Sequence, residues 1–307
     1  MKFVGFDTSN YTTSIAYFDG KNGINCSKLL PVKAGELGLR QSDAVFHHTK
    51  SLQELSGRLF SDLETNCIAA VGVSTRPREV EGSYMPCFMV GTTQAMLLSN
   101  ALHVPYFEFS HQQGHIAAAA WSADRMDLLD KSFLAWHLSG GTTELLHVKP
   151  QGRNVICEKI GGTTDISAGQ LIDRTGVMLD LPFPAGKHLD ALSNDAIHSD
   201  FFRVKCTDME FSLSGMQNKV QEYYKAGNAP AEVAAYTLRC VGHAVYKATE
   251  NALKHYPDLP VMFSGGVASN TMLREILKPL NPVFAQPQFS KDNAMGVAIL
   301  TQRAMEE

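Results

Sequence analysis

His111 and His115 are the residues of this 307-residue chain whose type and spacing point most directly to chemistry. Four residues turn a helix by about 400°, so two imidazoles at that separation project from one face. Ser110 stands where it can cap such a helix, and the alanine run from Ala117 to Ala120 continues it. Two imidazoles need a third ligand to hold a metal. Asp292 is the candidate, because Ser290-Lys291-Asp292-Asn293 opens the final helical segment, although a carboxylate in a first helical turn is also favoured by the dipole alone. Two histidines and a carboxylate with open positions suit zinc or ferrous iron. Gln112-Gln113-Gly114 supplies no glutamate between the histidines, which removes the H-E-x-x-H metalloproteases.

A second constellation is Ser139-Gly140-Gly141-Thr142-Thr143, a small turn whose glycines admit close backbone approach and whose amides and hydroxyls are donors suited to phosphate. A plain hairpin turn would read the same way. Similar small polar turns at Asp7 to Asn10 and at Ser264 to Asn270 strengthen the phosphate reading. Neither G-x-x-x-x-G-K-[ST] nor G-x-G-x-x-G occurs, and G-x-S-x-G is missing too, so P-loop, Rossmann and α/β-hydrolase sites have no support. His47-His48 reads as a surface or helix-start feature, and Arg76-Pro77-Arg78 as a loop that could meet phosphates.

The elements that must position these residues follow from periodicity. Lys2 to Phe6 and Thr12 to Phe18 read as a hairpin, and Phe133 to Leu138 followed by Leu145 to Val148 repeats it. Val261 to Phe263 is a third strand, feeding a helix that Asn270 can cap. Pro230 to His255 has helical spacing and is read as core. A strand-turn-strand device opening each half predicts two related α/β lobes facing each other across a cleft. The first lobe is expected to take residues 1–118 plus 291–307, the last helix crossing back, and the second residues 119–290.

Composition bounds the rest. The chain is 44% hydrophobic and 19% charged, an ordinary globular balance. No run approaches the length of a membrane span, and the opening strand leaves no room for a leader, so a cytoplasmic protein is expected. Six scattered cysteines without a C-x-x-C pair read as small buried hydrophobes. A net charge of -4 gives no overall attraction to nucleic acid, so an RNA substrate would need a local basic patch or a partner.

Taken in order, several segments resemble one family. They are Val4-Gly5-Phe6-Asp7-Thr8-Ser9, His111-x-x-x-His115, Ser139 to Thr143, Asp165 to Asp173, Phe183-Pro184-Ala185-Gly186, Phe211 to Gly215, Ser264 to Asn270 and Asp292-Asn293. The family is the catalytic subunit of tRNA threonylcarbamoyladenosine synthase, formerly filed as O-sialoglycoprotein endopeptidase or glycoprotease. The resemblance implies an actin-like, sugar-kinase-like fold of two RNase H-like lobes with a central cleft. It also implies transfer of a threonylcarbamoyl group from threonylcarbamoyl-AMP to the exocyclic amine of an adenosine beside the tRNA anticodon. Carried over by position, His111, His115 and Asp292 would bind one iron or zinc ion. Ser139, Gly140, Gly141, Thr142, Thr143, Asp173, Gly186, Asp190 and Asn270 would hold the adenylate, whether threonylcarbamoyl-AMP or ATP/ADP. Partner proteins, among them a related non-catalytic subunit, are implied as well.

The chain departs from the family pattern at its opening. Glu-Thr-Ser-Cys-Asp-Glu-Thr is typical, and here Asp7-Thr8-Ser9-Asn10-Tyr11-Thr12-Thr13 stands instead, so two acidic positions are Tyr11 and Thr12. Ser-Gly-Gly-His-Thr has Thr142 in place of histidine, and an Ala-Gly-Glu segment reads Ala168-Gly169-Gln170. The chain is therefore read as a divergent member with Asp7 and Thr12 at the catalytic positions. The alternatives are a nucleotide-binding paralogue acting as regulator or scaffold, and a phosphotransferase or ATPase using Asp7.

Overall fold

The computed structural model describes residues 1–9, 11–31, 39–61, 63–289 and 293–306. The chain divides into two compact units, one of Met1–Lys131, Lys149–Cys157 and Lys291–Glu307, the other of Ser132–Val148 and Glu158–Ser290.

In the first unit, β1 (Lys2–Asp7), β2 (Thr12–Phe18), β3 (Gly23–Leu29), β4 (Ile68–Arg76) and β5 (Tyr106–Ser110) form one sheet in the order β3-β2-β1-β4-β5. The first three strands are antiparallel, Asp7 pairing with Ser14, whereas β4 and β5 run parallel to β1. Alternation decides what covers each face. Val4, Phe6, Val71 and Val73 pack with Leu52 and Leu55 of α1 (Gln41–Phe60) and Ala95 of α2 (Phe88–Leu102). Gly5 and Gly72 face the other way, onto the C-terminal helix (Met295–Met305). A Cβ at Gly5 would stand 2.6 Å from the Ala294 carbonyl oxygen, so only glycine admits the helix this close. α3 (His111–Ser122) crosses the same C-terminal helix in backbone contact at Gly114 and Gly296.

The α1 sequence corrects one expectation. His48 is no surface residue: it is fully buried mid-helix, on the face marked by Ala44, Leu52, Leu55 and Leu59, and shares a 2.8 Å hydrogen bond between its Nδ1 and Thr13 Oγ1. Only His47 reaches the surface, and it is half-buried.

The second unit repeats the opening device. β6 (Phe133–Leu138) and β7 (Thr143–Gln151) are antiparallel, with Leu138 opposite Thr143. β8 (Asn154–Thr163), β9 (Cys206–Thr207), β10 (Glu210–Phe211), β11 (Val261–Ser264) and β12 (Val283–Phe284) complete a seven-stranded sheet in the order β12-β11-β6-β7-β8-β10-β9. β11 pairs parallel to β6, as β4 does to β1. Its helices are α4 (Ala168–Met178), α5 (Gly186–Ser193), α6 (Ser214–Lys225), α7 (Pro230–His255) and α8 (Thr271–Leu277). α7 covers the span read from periodicity. Fifteen of its 26 residues are buried, which identifies it as the core helix of the unit. Trp136 of β6 is fully buried against it, its indole Nε1 donating to Thr249 Oγ1 at 2.9 Å, so that no buried donor is left unmet there. Each fully buried leucine or phenylalanine of this cluster stabilises the fold by roughly 1.5–3 kcal/mol.

The cysteines are all free; Cys26, Cys87 and Cys240 are buried, but Cys67, Cys157 and Cys206 are only partly so. Among the described residues no helix is long and apolar enough to cross a membrane.

Candidate functional site

In the first unit the histidine pair sits on a helix whose start is specified locally. Ser110 caps α3 and Gln113 completes the capping box, while Gln113 Nε2 donates to the Val155 carbonyl at 2.7 Å. The cap places His111 at the first helical position, beside the C-terminal end of β1. There Asp7 Oδ2 accepts from His111 Nδ1 at 2.6 Å, and Asp7 Oδ1 accepts from the Ser9 amide at 2.9 Å. With Asp7 ionised and the ring neutral, His111 Nδ1 is the donor and its Nε2 keeps a lone pair. That lone pair meets His115 Nε2 at 2.9 Å. The two Nε2 atoms thus share a hydrogen bond, and among the described residues no group of three or more His, Cys, Asp or Glu side chains could hold a metal ion.

The strand ends around this pair are held firmly. Thr8 Oγ1 donates to the Cys87 carbonyl at 3.0 Å and accepts from the Gly91 amide at 3.1 Å, pinning the turn after β1 to the start of α2. Ser9 Oγ and Ser74 Oγ are buried hydroxyls with no hydrogen-bond partner among the described residues. Ser74 follows Val73, the last β4 residue in the ladder with β1. Unmet donors at this spot fit a site that receives a polar group.

The structure therefore brings Asp7, His111 and His115 together. Asp7 touches His111 through this hydrogen bond. Thr12 opens β2, its amide donating to the Ser9 carbonyl at 3.1 Å, and it is buried. Asp292 lies outside the described residues. Arg76 of the Arg76-Pro77-Arg78 stretch is occupied by Glu79 through two hydrogen bonds of 2.6 and 2.7 Å.

In the second unit the Ser139 to Thr143 turn closes on itself, the Ser139 amide donating to the Thr142 carbonyl and the Thr142 amide to Ser139 Oγ. The start of α4 is tied to it. Ser167 caps α4 and donates through Oγ to the Gly140 carbonyl at 2.6 Å, and Thr143 Oγ1 accepts from the Ala168 amide at 2.8 Å. A Cβ on Gly169 would stand 2.4 Å from Gly140 Cα, so glycine is required for the helix to meet the turn. Above Gly140, Gly141 and Gly266, by contrast, a Cβ would meet no atom within 4 Å. The space above these two turns is open.

The remaining second-unit residues anchor neighbouring loops. Asp173 accepts from the Ala185 amide at 2.8 Å, fixing the turn that precedes Gly186 and α5. Burial raises the Asp173 pKa against the lowering effect of that bond. Asp190 accepts from the Thr271 amide at 2.9 Å and from Thr271 Oγ1 at 2.7 Å, which joins α5 to the first turn of α8. Asn270 caps α8, its Oδ1 accepting from the Leu273 amide at 3.0 Å, and its buried Nδ2 has no hydrogen-bond partner among the described residues. Gly265, at φ +96°, makes the turn before it.

One residue escaped sequence reasoning as an individual. Asp165 gathers the Ile166, Leu213 and Ser214 amides and the Ser212 and Ser214 hydroxyls, so it organises the entrances to both α4 and α6. Partial burial works against its ionisation, but these donors outweigh it and hold the carboxyl well below the usual range. Its signal in the sequence was the adjacency of small donors in Ser212-Leu213-Ser214-Gly215, which gives no clue to a distant acceptor.

Comparison with solved structures places the fold. The chain aligns over 99% of its length with 48% of a chain described as T.kodakarensis HypF, at TM-score 0.62 and 14% identity. It also aligns over its full length with 99% of the ROK hexokinase from Thermus thermophilus, at TM-score 0.53 and 16% identity. The protein thus has the actin-like, sugar-kinase-like fold. A family model described as tRNA N6-adenosine threonylcarbamoyltransferase matches residues 36–299, and the chain belongs to that family. A curated relative of that name from Lacticaseibacillus casei is 32% identical over 198 residues, 62% of this chain. The match spans 56% of that relative's own length.

Proposed function

We propose that this protein transfers a threonylcarbamoyl group from threonylcarbamoyl-AMP to the exocyclic amine of an anticodon-adjacent adenosine in tRNA, with one divalent metal ion and with partner proteins. The observation that carries this reading is the Asp7-His111-His115 chain of contacts in a member of the transferase family. In the reaction the adenosine nitrogen bonds to the carbamoyl carbon, the bond to the AMP phosphate oxygen breaks, and a proton leaves the amine. His111 and His115 would hold the ion, with Asp292 as the third ligand, and Asp7 would keep His111 in the ligating tautomer. When bound, a divalent ion supplies Lewis acidity toward an acyl oxygen. Gly140 and Gly141 would present amides to the departing phosphate, and Asn270 Nδ2 is a buried donor ready for the nucleotide. Asp173 and Asp190 shape the loops that receive it, with Gly186 at the mouth of α5.

Nucleoside analysis of unmodified tRNA incubated with the chain, its partner proteins and threonylcarbamoyl-AMP tests the proposal. Modified adenosine is expected, and its absence under all partner combinations defeats the reading. A second reading, a nucleotide-binding regulator or scaffold of the same complex, is favoured by Tyr11 and Thr12 standing where the family's acids are typical. Activity that emerges only in the Tyr11→Asp/Thr12→Glu variant supports the regulator.

A further inference from the structure

An acidic chain that acts on RNA needs a local surface to hold it, and one face of the second unit has the required chemistry. The segment 198–206 is strapped along α7. The Ile197 and His198 amides donate to the Glu232 carboxylate at 2.6 and 3.1 Å, the Phe202 amide donates to Cys240 Sγ at 3.0 Å, and Arg239 donates to the His198 carbonyl. Between strap and helix lies a groove of about 520 Å³, lined among others by Phe201, Arg203, His243, Tyr246 and Lys247. Arg239, His243, Tyr246, Lys247 and Glu250 recur at helical spacing, so α7 turns one stripe toward the strap.

Two features of the groove match single-stranded RNA. Phe201 and His243 are stacked on one another, with centroids 4.0 Å apart and planes 11° apart, a preorganised aromatic pair that is partly exposed. Burial, then Arg203 and Arg239, lower the His243 pKa, which favours the neutral ring that stacks best. Arg203 is exposed and has no carboxylate partner among the described residues, while Lys247 shares Glu250 at 2.9 Å across an exposed pair that a phosphate can replace. Aromatic rings edged by exposed cations bind nucleic acid by base stacking and phosphate neutralisation.

We propose that this groove is an RNA-binding surface, stacking an unpaired base on the Phe201–His243 platform and pairing the backbone with Arg203 and Lys247. The identity of the RNA as tRNA rests on the transferase reading; the groove itself does not. The test is titration of the chain and its partner proteins with a labelled unmodified tRNA transcript at several salt concentrations. Arg203→Ala/Lys247→Ala is expected to weaken binding about tenfold and to flatten the salt slope by about 1.4–1.8, at 0.7–0.9 per lost phosphate contact. His243→Ala is expected to weaken it between about five- and a hundredfold, and His243→Phe, which keeps a flat ring, to restore it. AMP affinity should stay unchanged in all three, which separates the groove from the nucleotide turns. Unchanged RNA affinity and salt slope in the double variant, or a wild type that binds acidic peptide but no RNA, overturns the proposal. Groove-dependent RNA binding without any modified nucleoside sustains it while defeating the transferase reading.

Discussion

Replacing Asp7 by asparagine alters one atom in the contacts that end at the histidine pair. Asp7 accepts from both the Ser9 amide and His111 Nδ1, at 2.9 and 2.6 Å. An asparagine that keeps the Ser9 bond must turn its amide N–H toward His111. The ring then accepts at Nδ1, its proton moves to Nε2, and the lone pair aimed at His115 is lost. Outer-shell partners of ligating histidines are worth about 10- to 100-fold in metal affinity, or about 1.4–2.7 kcal/mol. Asp7 is only 1% exposed, so water cannot substitute for the lost acceptor, and the upper end of that range is expected. Shape is conserved, so melting should move by only a few degrees. Competition titration of zinc against a chelator near pH 7.5, with His111→Ala as the reference for a lost site, reads the effect. Zinc affinity of Asp7→Asn within threefold of the wild type would refute the tautomer argument.

Three further outcomes follow from particular contacts. Gly169→Ala puts a methyl 2.4 Å from Gly140 Cα, and overpacking of this kind costs about 1–3 kcal/mol; AMP affinity measured by calorimetry should fall about tenfold or more while zinc affinity holds. Gly296→Ala puts a methyl 1.8 Å from the Gly114 carbonyl oxygen, forcing α3 away from the C-terminal helix, so both the melting temperature and zinc affinity should drop. The Asp165 carboxyl is held below its usual range by its donors, so its stabilisation is complete above about pH 4 and fades as pH falls below that value. Denaturant midpoints should therefore separate wild type from Asp165→Asn at pH 7 and draw together near pH 3; an equal gap at both values contradicts the assignment.

What could be read before the structure was local. The hairpins at Asp7 and Ser139, the cap at Ser110, the cap at Asn270 and the span of α7 each depend on a turn, a capping side chain or a period carried within a few residues. The converging Nε2 atoms of His111 and His115 follow from the same logic. What escaped was set by distance. The His47-His48 doublet looks polar, although Ala44, Leu52 and Leu55 place His48 on the buried face of α1. The Asp7–His111 bond spans 104 positions and Asp165–Leu213 spans 48, and nothing in either local pattern names the partner. The tip of the β7–β8 hairpin, residues 149–157, groups with the first unit, where Val155 receives Gln113, a pairing that strand alternation alone does not encode.

Transfer is expected to need an ion held by the histidine pair. Protein stripped with a chelator and reloaded to graded zinc or iron content should, with its partners and threonylcarbamoyl-AMP present, modify tRNA at a rate proportional to occupancy, and His115→Ala should take up no ion and yield no product. Full modification by metal-free protein, or by His115→Ala, would contradict it.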